Sequence, residues 1–402
     1  MTPTAAPPRP ATVRSIVAME QTTRPPRRPD RRLGLNVGKV FGVPLYLNGS
    51  MVLLAVLIAV LYGEFARRQL DLSQLSGYLI GFGFVVSLLG SVLLHELGHA
   101  LTARRYGIGV RGITLELLGG YTEMDRDAPS PRVDLLVSLA GPAVSAVLGV
   151  LAVAATLALP EGTVAHQLAF QLAVSNVIVA LFNSLPGLPL DGGRALRAAV
   201  WGLTRDRHLG TEVAGWAGRI VAVGTAALVV LLTVERRLAP LALPLMLLVA
   251  VTLWRGAGQS IRAARVSRRF PLIDLARLAR PVWPVPTGTP LAEAQRRRAE
   301  SVQPDAALVV TDSTGRPVAL VDPAAADAVP VERRPWLAVD AVARSLGTLP
   351  TLSLGWDGER VMEAVQTYPG AQYVVTSGED VVGILHIADL AQLLEPNRKM
   401  TP

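Results

Sequence analysis

"LLHELGHALTARRYG", residues 93–107, closes a long apolar run, and its reading decides what kind of protein this is. Two histidines and a glutamate stand at the end of a segment greasy enough to cross a bilayer, and paired arginines follow at once. Ionisable groups are costly in hydrocarbon and rare there, so these side chains require something that stabilises them. The rest of the chain is similar in character. Of its 402 residues 50% are hydrophobic and only 17% charged, with a mean hydropathy of +0.39. That is too apolar for a soluble two-domain protein and implies a membrane protein.

Apolar runs of about 20 residues, enough to span a bilayer, recur along the chain. Spans are expected at 46–63, 76–102, 133–158, 165–185, 212–234 and 238–254. Only "ERRL" separates the last two, which predicts a tight hairpin. The expected fold class is a polytopic α-helical membrane protein of about six transmembrane helices with a C-terminal soluble α/β domain. Basic residues set its orientation. Arg104, Arg105, Arg111 and Arg126 follow span two, Arg194, Arg197, Arg205 and Arg207 follow span four, and a basic run from Arg255 follows span six. Arg67, Arg68, Arg236 and Arg237 fall on the other side, so the bias puts both termini in the cytoplasm of a multi-pass cell-membrane protein.

The first 35 residues, with "TRPPRRPDRR", are rich in proline and arginine and are expected to be a disordered basic tail. No apolar stretch with a small-residue cleavage site accompanies them, so no removable signal peptide is expected. The net charge of +8 resides in this tail and beside apolar runs. It therefore fits contact with an anionic leaflet, and no nucleic-acid partner is expected. The absence of cysteine excludes disulfides, thiolate metal sites and a cysteine nucleophile. Residues 36–260 form the expected membrane domain. Residues 271–395 alternate apolar and polar positions and carry an internal duplication, in which "PLAEAQRRRAESVQPDAALVVTDSTGRPVALVD" parallels "DGERVMEAVQTYPGAQYVVTSGEDVVGILHIADL".

In "HELGH", His95 and His99 are four residues apart and share one helix face. This spacing lets two imidazoles reach one zinc ion at about 2 Å each. Glu96, next to a ligand, is placed to take a proton from an attacking water and return it to a leaving amine. A catalytic zinc needs a third protein ligand. His166 lies at the opposite end of the bilayer, His208 among loop arginines and His386 in the soluble domain, and all three are read as packing or polar histidines. Asp191, in "NSLPGLPLDGGRALRAAV" (183–200), follows a helix broken by Pro186 and Pro189 and ends at the same depth on the same side as the histidines. Such irregular backbone at membrane depth needs protein or a water-filled cavity around it. The alternative for Asp191 is a cap on the amphipathic helix that follows.

"HELGH" together with "NSLPGLPLDGG", and "LAGP" at 139–142 between them, resembles the site-2 protease (M50-type) family of intramembrane zinc metalloproteases. The resemblance covers roughly residues 36–260. It implies one zinc ion per chain on His95, His99 and Asp191, Glu96 as general base, and a substrate site that includes Asn183, Pro186 and Pro189. "GITLELLGGYTEMD" resembles the family's hairpin loop between the first two core helices. The substrate implied is a single-span membrane protein, such as a tethered transcription factor or anti-sigma factor. The duplicated domain resembles a CBS pair, as in the family's sporulation-type branch, and such a pair offers a route to homo-oligomers. CBS pairs often bind adenine nucleotides; here Gly383 and Asp389 match that pattern, but His386 takes the hydroxyl position. The first repeat reads Ala319, Asp322 and Ala325 at the same places, so a structural or partner-binding role stands beside nucleotide binding. The reading from another functional class is a non-catalytic membrane sensor or scaffold controlled through the pair.

Overall fold

The structure, a computed structural model, describes residues 34–116, 119–237 and 242–395; the expected basic tail lies almost wholly outside them. By contact density the chain forms two units. The first runs to Leu185 and includes Leu190–Ala195, and the second takes Pro186–Pro189 and continues from Leu196. The division expected at 260–271 follows a change in surface character, whereas contact density groups the last apolar helices with the α/β domain.

The first unit opens with strands β1 (Leu35–Val40) and β2 (Val43–Leu47), then helices α1 (Gly49–Gln69) and α2 (Gln74–Arg105). The first span thus starts three residues later than expected. Pro44 is disfavoured inside a helix and tolerated near the start of β2, outside its pairing with β3, and Asn48 caps α1 by accepting from the Ser50 N–H at 3.2 Å. Hairpin strands β3 (Val110–Glu116) and β4 (Gly119–Met124) follow, then α3 (Pro131–Ala158) and α4 (Val164–Asn183). The four strands form one sheet in the order β1-β2-β3-β4, so β4 is an edge strand. Ile113 and Leu115 on β3 pack with Leu97 and Ala100 of α2, which fixes the hairpin on the helix that carries the histidines. Helix α5 (Asp191–Thr204) begins in this unit.

In the second unit, α6 (Arg207–Val234) and α7 (Ala242–Ser267) pack together. Among the described residues α1, α2, α3, α4 and α6 are long and apolar enough to cross a membrane. The sixth expected span, 238–254, corresponds to the start of α7, where the apolar run ends at Arg255 and residues 238–241 lie outside the description. The chain is a multi-pass membrane protein with a C-terminal α/β domain.

That domain holds a seven-stranded sheet, β8-β7-β6-β5-β11-β10-β9. Its strands are β5 (Arg280–Pro286), β6 (Ala307–Thr311), β7 (Pro317–Val321), β8 (Ala343–Ser345), β9 (Thr351–Ser353), β10 (Gln372–Ser377) and β11 (Asp380–His386). The duplication is visible in the pairing. β5 runs parallel to β6 as β9 does to β10, and each second strand turns back antiparallel. Alternation along β6 explains why neither half stands alone: Leu308 and Val310 face the core of the first repeat, while Val309 joins Leu320, Val374 and Ile384 in a cluster shared by both.

Candidate metal centre

His95 and His99 lie on α2, 5% and 3% exposed, and Asp191 is the first residue of α5. Asp191 Oδ2 is 3.1 Å from His95 Nε2 and 3.2 Å from His99 Nε2, and the two imidazole nitrogens are 3.3 Å apart. The carboxylate reaches this point because the chain folds back sharply. At Gly192 a Cβ would stand 2.3 Å from the Ser184 carbonyl oxygen, so only glycine lets α5 start against the end of α4. Asp191 therefore faces the two histidines across the start of its own helix.

The far side of each ring determines what the near side offers. His99 Nδ1 is 2.7 Å from the Val137 carbonyl oxygen, which can only accept, so Nδ1 carries the proton and Nε2 presents a lone pair. His95 Nδ1 is 2.9 Å from Ser145 Oγ, which can accept in the same way. With His95 in the same tautomer as His99, two imidazole lone pairs and a carboxylate oxygen converge with no proton between them, an arrangement that repels unless a cation stands in the middle. A tetrahedral ion with ligands at about 2.0 Å spaces its ligand atoms about 3.3 Å apart, close to the separations found here. The donor set fits zinc. Among the described residues no other group of three or more acids and histidines converges in this way.

Helix α3 supplies what the sequence reading left unnamed. Val137, Gly141 and Ser145 recur every four residues and form one stripe. The outer two hold the rings, and Gly141 makes room for them: a Cβ there would stand 2.2 Å from His99 Nε2 and 2.7 Å from His95 Nε2. "LAGP" is thus the place where α3 passes directly behind the imidazoles. Gly98 does the same from α2, where a Cβ would meet the Ala140 carbonyl oxygen at 2.9 Å. The fourfold spacing from Gly141 to Ser145 was a signal available in the sequence.

Glu96 is 5% exposed, and its Oε2 accepts from the Thr122 hydroxyl at 2.7 Å. Thr122 sits on edge strand β4 opposite Ile113. Two residues before it, a Cβ on Gly120 would crowd Glu96 Cγ at 2.8 Å. Strand β4 thus lies against the glutamate, with a glycine clearing its path and a hydroxyl holding its carboxylate. Asn183 is half-buried at the end of α4 and makes no side-chain hydrogen bond among the described residues. Pro186 and Pro189 are exposed in the loop that follows.

Residues 83–172 match peptidase family M50. The chain carries a family M50 peptidase domain. The candidate zinc metalloprotease sll0528 of Synechocystis is 29% identical over 371 residues, 90% of this chain and 95% of that one. The candidate zinc metalloprotease Rip3 of Mycobacterium tuberculosis is 42% identical over 154 residues, 38% of this chain and 39% of its own. A solved site-2 protease from Methanocaldococcus jannaschii is 25% identical, with a TM-score of 0.41, and the match covers 57% of this chain and 95% of that one. The family match and these relatives support a zinc metalloendopeptidase.

In the α/β domain, the two residues matched to a nucleotide pattern have structural work of their own. Asp389 pairs with Arg280 at 3.2 Å, and a Cβ on Gly383 would stand 2.8 Å from Ala279 Cβ where β5 crosses β11. Burial, and then the Arg280 guanidinium, push the His386 imidazole below its ordinary pKa, which favours its neutral form.

Proposed function

We propose that this protein cleaves single-span membrane proteins within the bilayer, with zinc held by His95, His99 and Asp191 and with Glu96 as general base. The observation that carries this reading is the convergence of three lone-pair atoms beside a glutamate that an edge strand holds in place. A zinc ion bound there supplies Lewis-acid chemistry, acting on water and on the scissile carbonyl. Glu96 takes the proton of the attacking water as the C–O bond forms, then gives it to the amide nitrogen as the C–N bond breaks. The Val137 carbonyl keeps His99 in the tautomer that leaves Nε2 free, and Ser145 Oγ can accept from His95 Nδ1 to do the same. A transmembrane helix hides its peptide bonds in internal hydrogen bonds, so the target segment unwinds before it is cut. The free edge of β4 offers main-chain partners to the extended strand, and Asn183, Pro186 and Pro189 are assigned to the substrate site by the motif they share with the family.

Both termini are cytoplasmic in this reading, the protein resides in the cell membrane, and cleavage releases a tethered regulatory protein. The CBS-like pair acts as a docking or oligomerising module. The contacts of Gly383 and Asp389 support that role over nucleotide capture.

Membrane proteomics in the native host, wild type against Glu96→Gln at matched expression, tests the reading. Single-span stubs should accumulate only in the variant; identical profiles under several stresses would overturn it. Two further outcomes are expected with purified protein. Asp191→Ala should lower bound zinc well below one equivalent by elemental analysis, and full occupancy would return Asp191 to a capping role. Thr122→Val should reduce kcat about tenfold with KM unchanged, the scale of one hydrogen bond to a charged group. Thr122→Ser, which keeps the hydroxyl, should stay near wild type; equal loss in both variants would remove the hydroxyl from the account.

A further inference from the structure

The basic residues around α6 and α7 differ in one respect. Arg265 pairs with Glu212 at 2.6 Å and Arg268 with Asp206 at 2.7 Å, so these two arginines have acids of their own. Arg219 lies roughly three turns along α6, where the apolar run 220–234 begins and so at one end of the part able to cross the membrane. Among the described residues no carboxylate pairs with it, and its Nε is buried with no hydrogen-bond partner. What it has instead is aromatic. Its guanidinium carbon stands 4.7 Å from the centre of the Trp216 ring and 4.8 Å from that of Trp254 on α7. Gly258 on α7 lies beside it, where even a Cβ would be only in ordinary contact with an Arg219 terminal nitrogen, at 3.5 Å.

Cation–π contact offsets part of the cost of a cation in an apolar setting, but it leaves the N–H edge of the guanidinium unsatisfied. An intramembrane charge without a partner needs an anion from outside the chain. We propose that Trp216, Arg219 and Trp254 form a binding site for the phosphate of an anionic phospholipid headgroup. Three observations select this ligand. The planar fork of arginine matches phosphate oxygens two at a time. Trp216 and Trp254 are 47% and 46% exposed and Ile220 is 74% exposed, so the cluster opens on an apolar surface of the kind that faces lipid. Tryptophans of membrane helices gather at headgroup depth, where lipid phosphates are the abundant anion. The site lies on the α6–α7 pair, so its occupant ties that pair to the composition of the leaflet.

The test uses the full chain in detergent, titrated with bicelles of phosphatidylglycerol or of phosphatidylcholine, with lipid retention read by native mass spectrometry and stability by thermal melting. Wild type should retain phosphatidylglycerol and melt at higher temperature with it than with phosphatidylcholine. Arg219→Gln should retain phosphatidylglycerol about fivefold less and lose the melting difference. Arg219→Lys, a point charge without the fork, should fall between the two. Trp254→Leu keeps the charge, removes one indole and should also weaken retention, which keeps the test open should Arg219→Gln fail to fold. Equal retention in wild type and all three variants would overturn the proposal. So would inorganic phosphate without lipid raising the melting temperature as much as phosphatidylglycerol does, since the ligand would then be free phosphate.

Discussion

Glu96→Gln is expected to bind zinc with the stoichiometry of the wild type and to cut substrate at least about a thousandfold more slowly, the upper range for loss of a positioned acid–base group. The substitution is nearly isosteric. The glutamine carbonyl can still accept from the Thr122 hydroxyl, which now reaches Oε2 at 2.7 Å, so the side chain keeps its place beneath β4. His95, His99 and Asp191 are untouched, and so are the Val137 and Ser145 contacts that set the tautomers. Only the ability to take and return a proton is lost. Cleavage of a single-span substrate in proteoliposomes, alongside elemental analysis of the same preparation, separates the outcomes. Wild-type rates would remove Glu96 from the chemistry. Loss of zinc together with activity would make it part of the metal's support.

Much of this centre could be read from the chain because its parts are local. Four-residue spacing places His95 and His99 on one face whatever surrounds the helix, and the proline-broken approach to Asp191 is hard to explain as packing. Other parts depend on contacts that no local pattern encodes. Thr122 reads as one β-propensity residue among several in "GGYTEM"; its meeting with Glu96 follows from the register of β3 with β4 and the docking of that hairpin on α2. Arg219 was invisible for a related reason. Basic residues near apolar runs set orientation as a sum, and a sum does not separate an arginine with an acid from one without. Helix α1 starts three residues later than hydropathy alone places it, because hydropathy rates Leu45 and Leu47 as membrane-like, whereas their pairing with β3 and the Asn48 cap assign them to a strand. The domain boundary differs because composition senses which residues meet lipid or water, while contact density senses which elements touch.

Gly141→Ala should empty the metal centre while leaving the helices intact. Alanine favours a helix over glycine by up to about 1 kcal/mol, so α3 itself gains by the change. The harm is local and steric. The new methyl would stand 2.2 Å from His99 Nε2 and 2.7 Å from His95 Nε2, well inside contact distance, on the edge of each ring that faces Asp191. Neither ring can step aside cheaply. His99 is tied through Nδ1 to the Val137 carbonyl and His95 through Nδ1 to Ser145, both from the helix that carries the new methyl. Moving α3 outward would give up the close packing of α2 on α3 at Gly98 and Ala140, and would carry the Nδ1 partners of both rings away with it. The least costly response is rotation of the imidazoles away from Asp191, which breaks the set of three donors. Bound zinc should therefore fall to about a tenth of an equivalent or less, a loss of only a few kcal/mol from a site that depends on three ligands. Proteolysis should cease, while helical circular dichroism should match the wild type. A Gly141→Ala protein with full zinc and normal cleavage would mean that α3 shifts along α2 more easily than this packing allows. It would then take the glycine out of the account of the site, leaving the two histidines and the aspartate to stand without it.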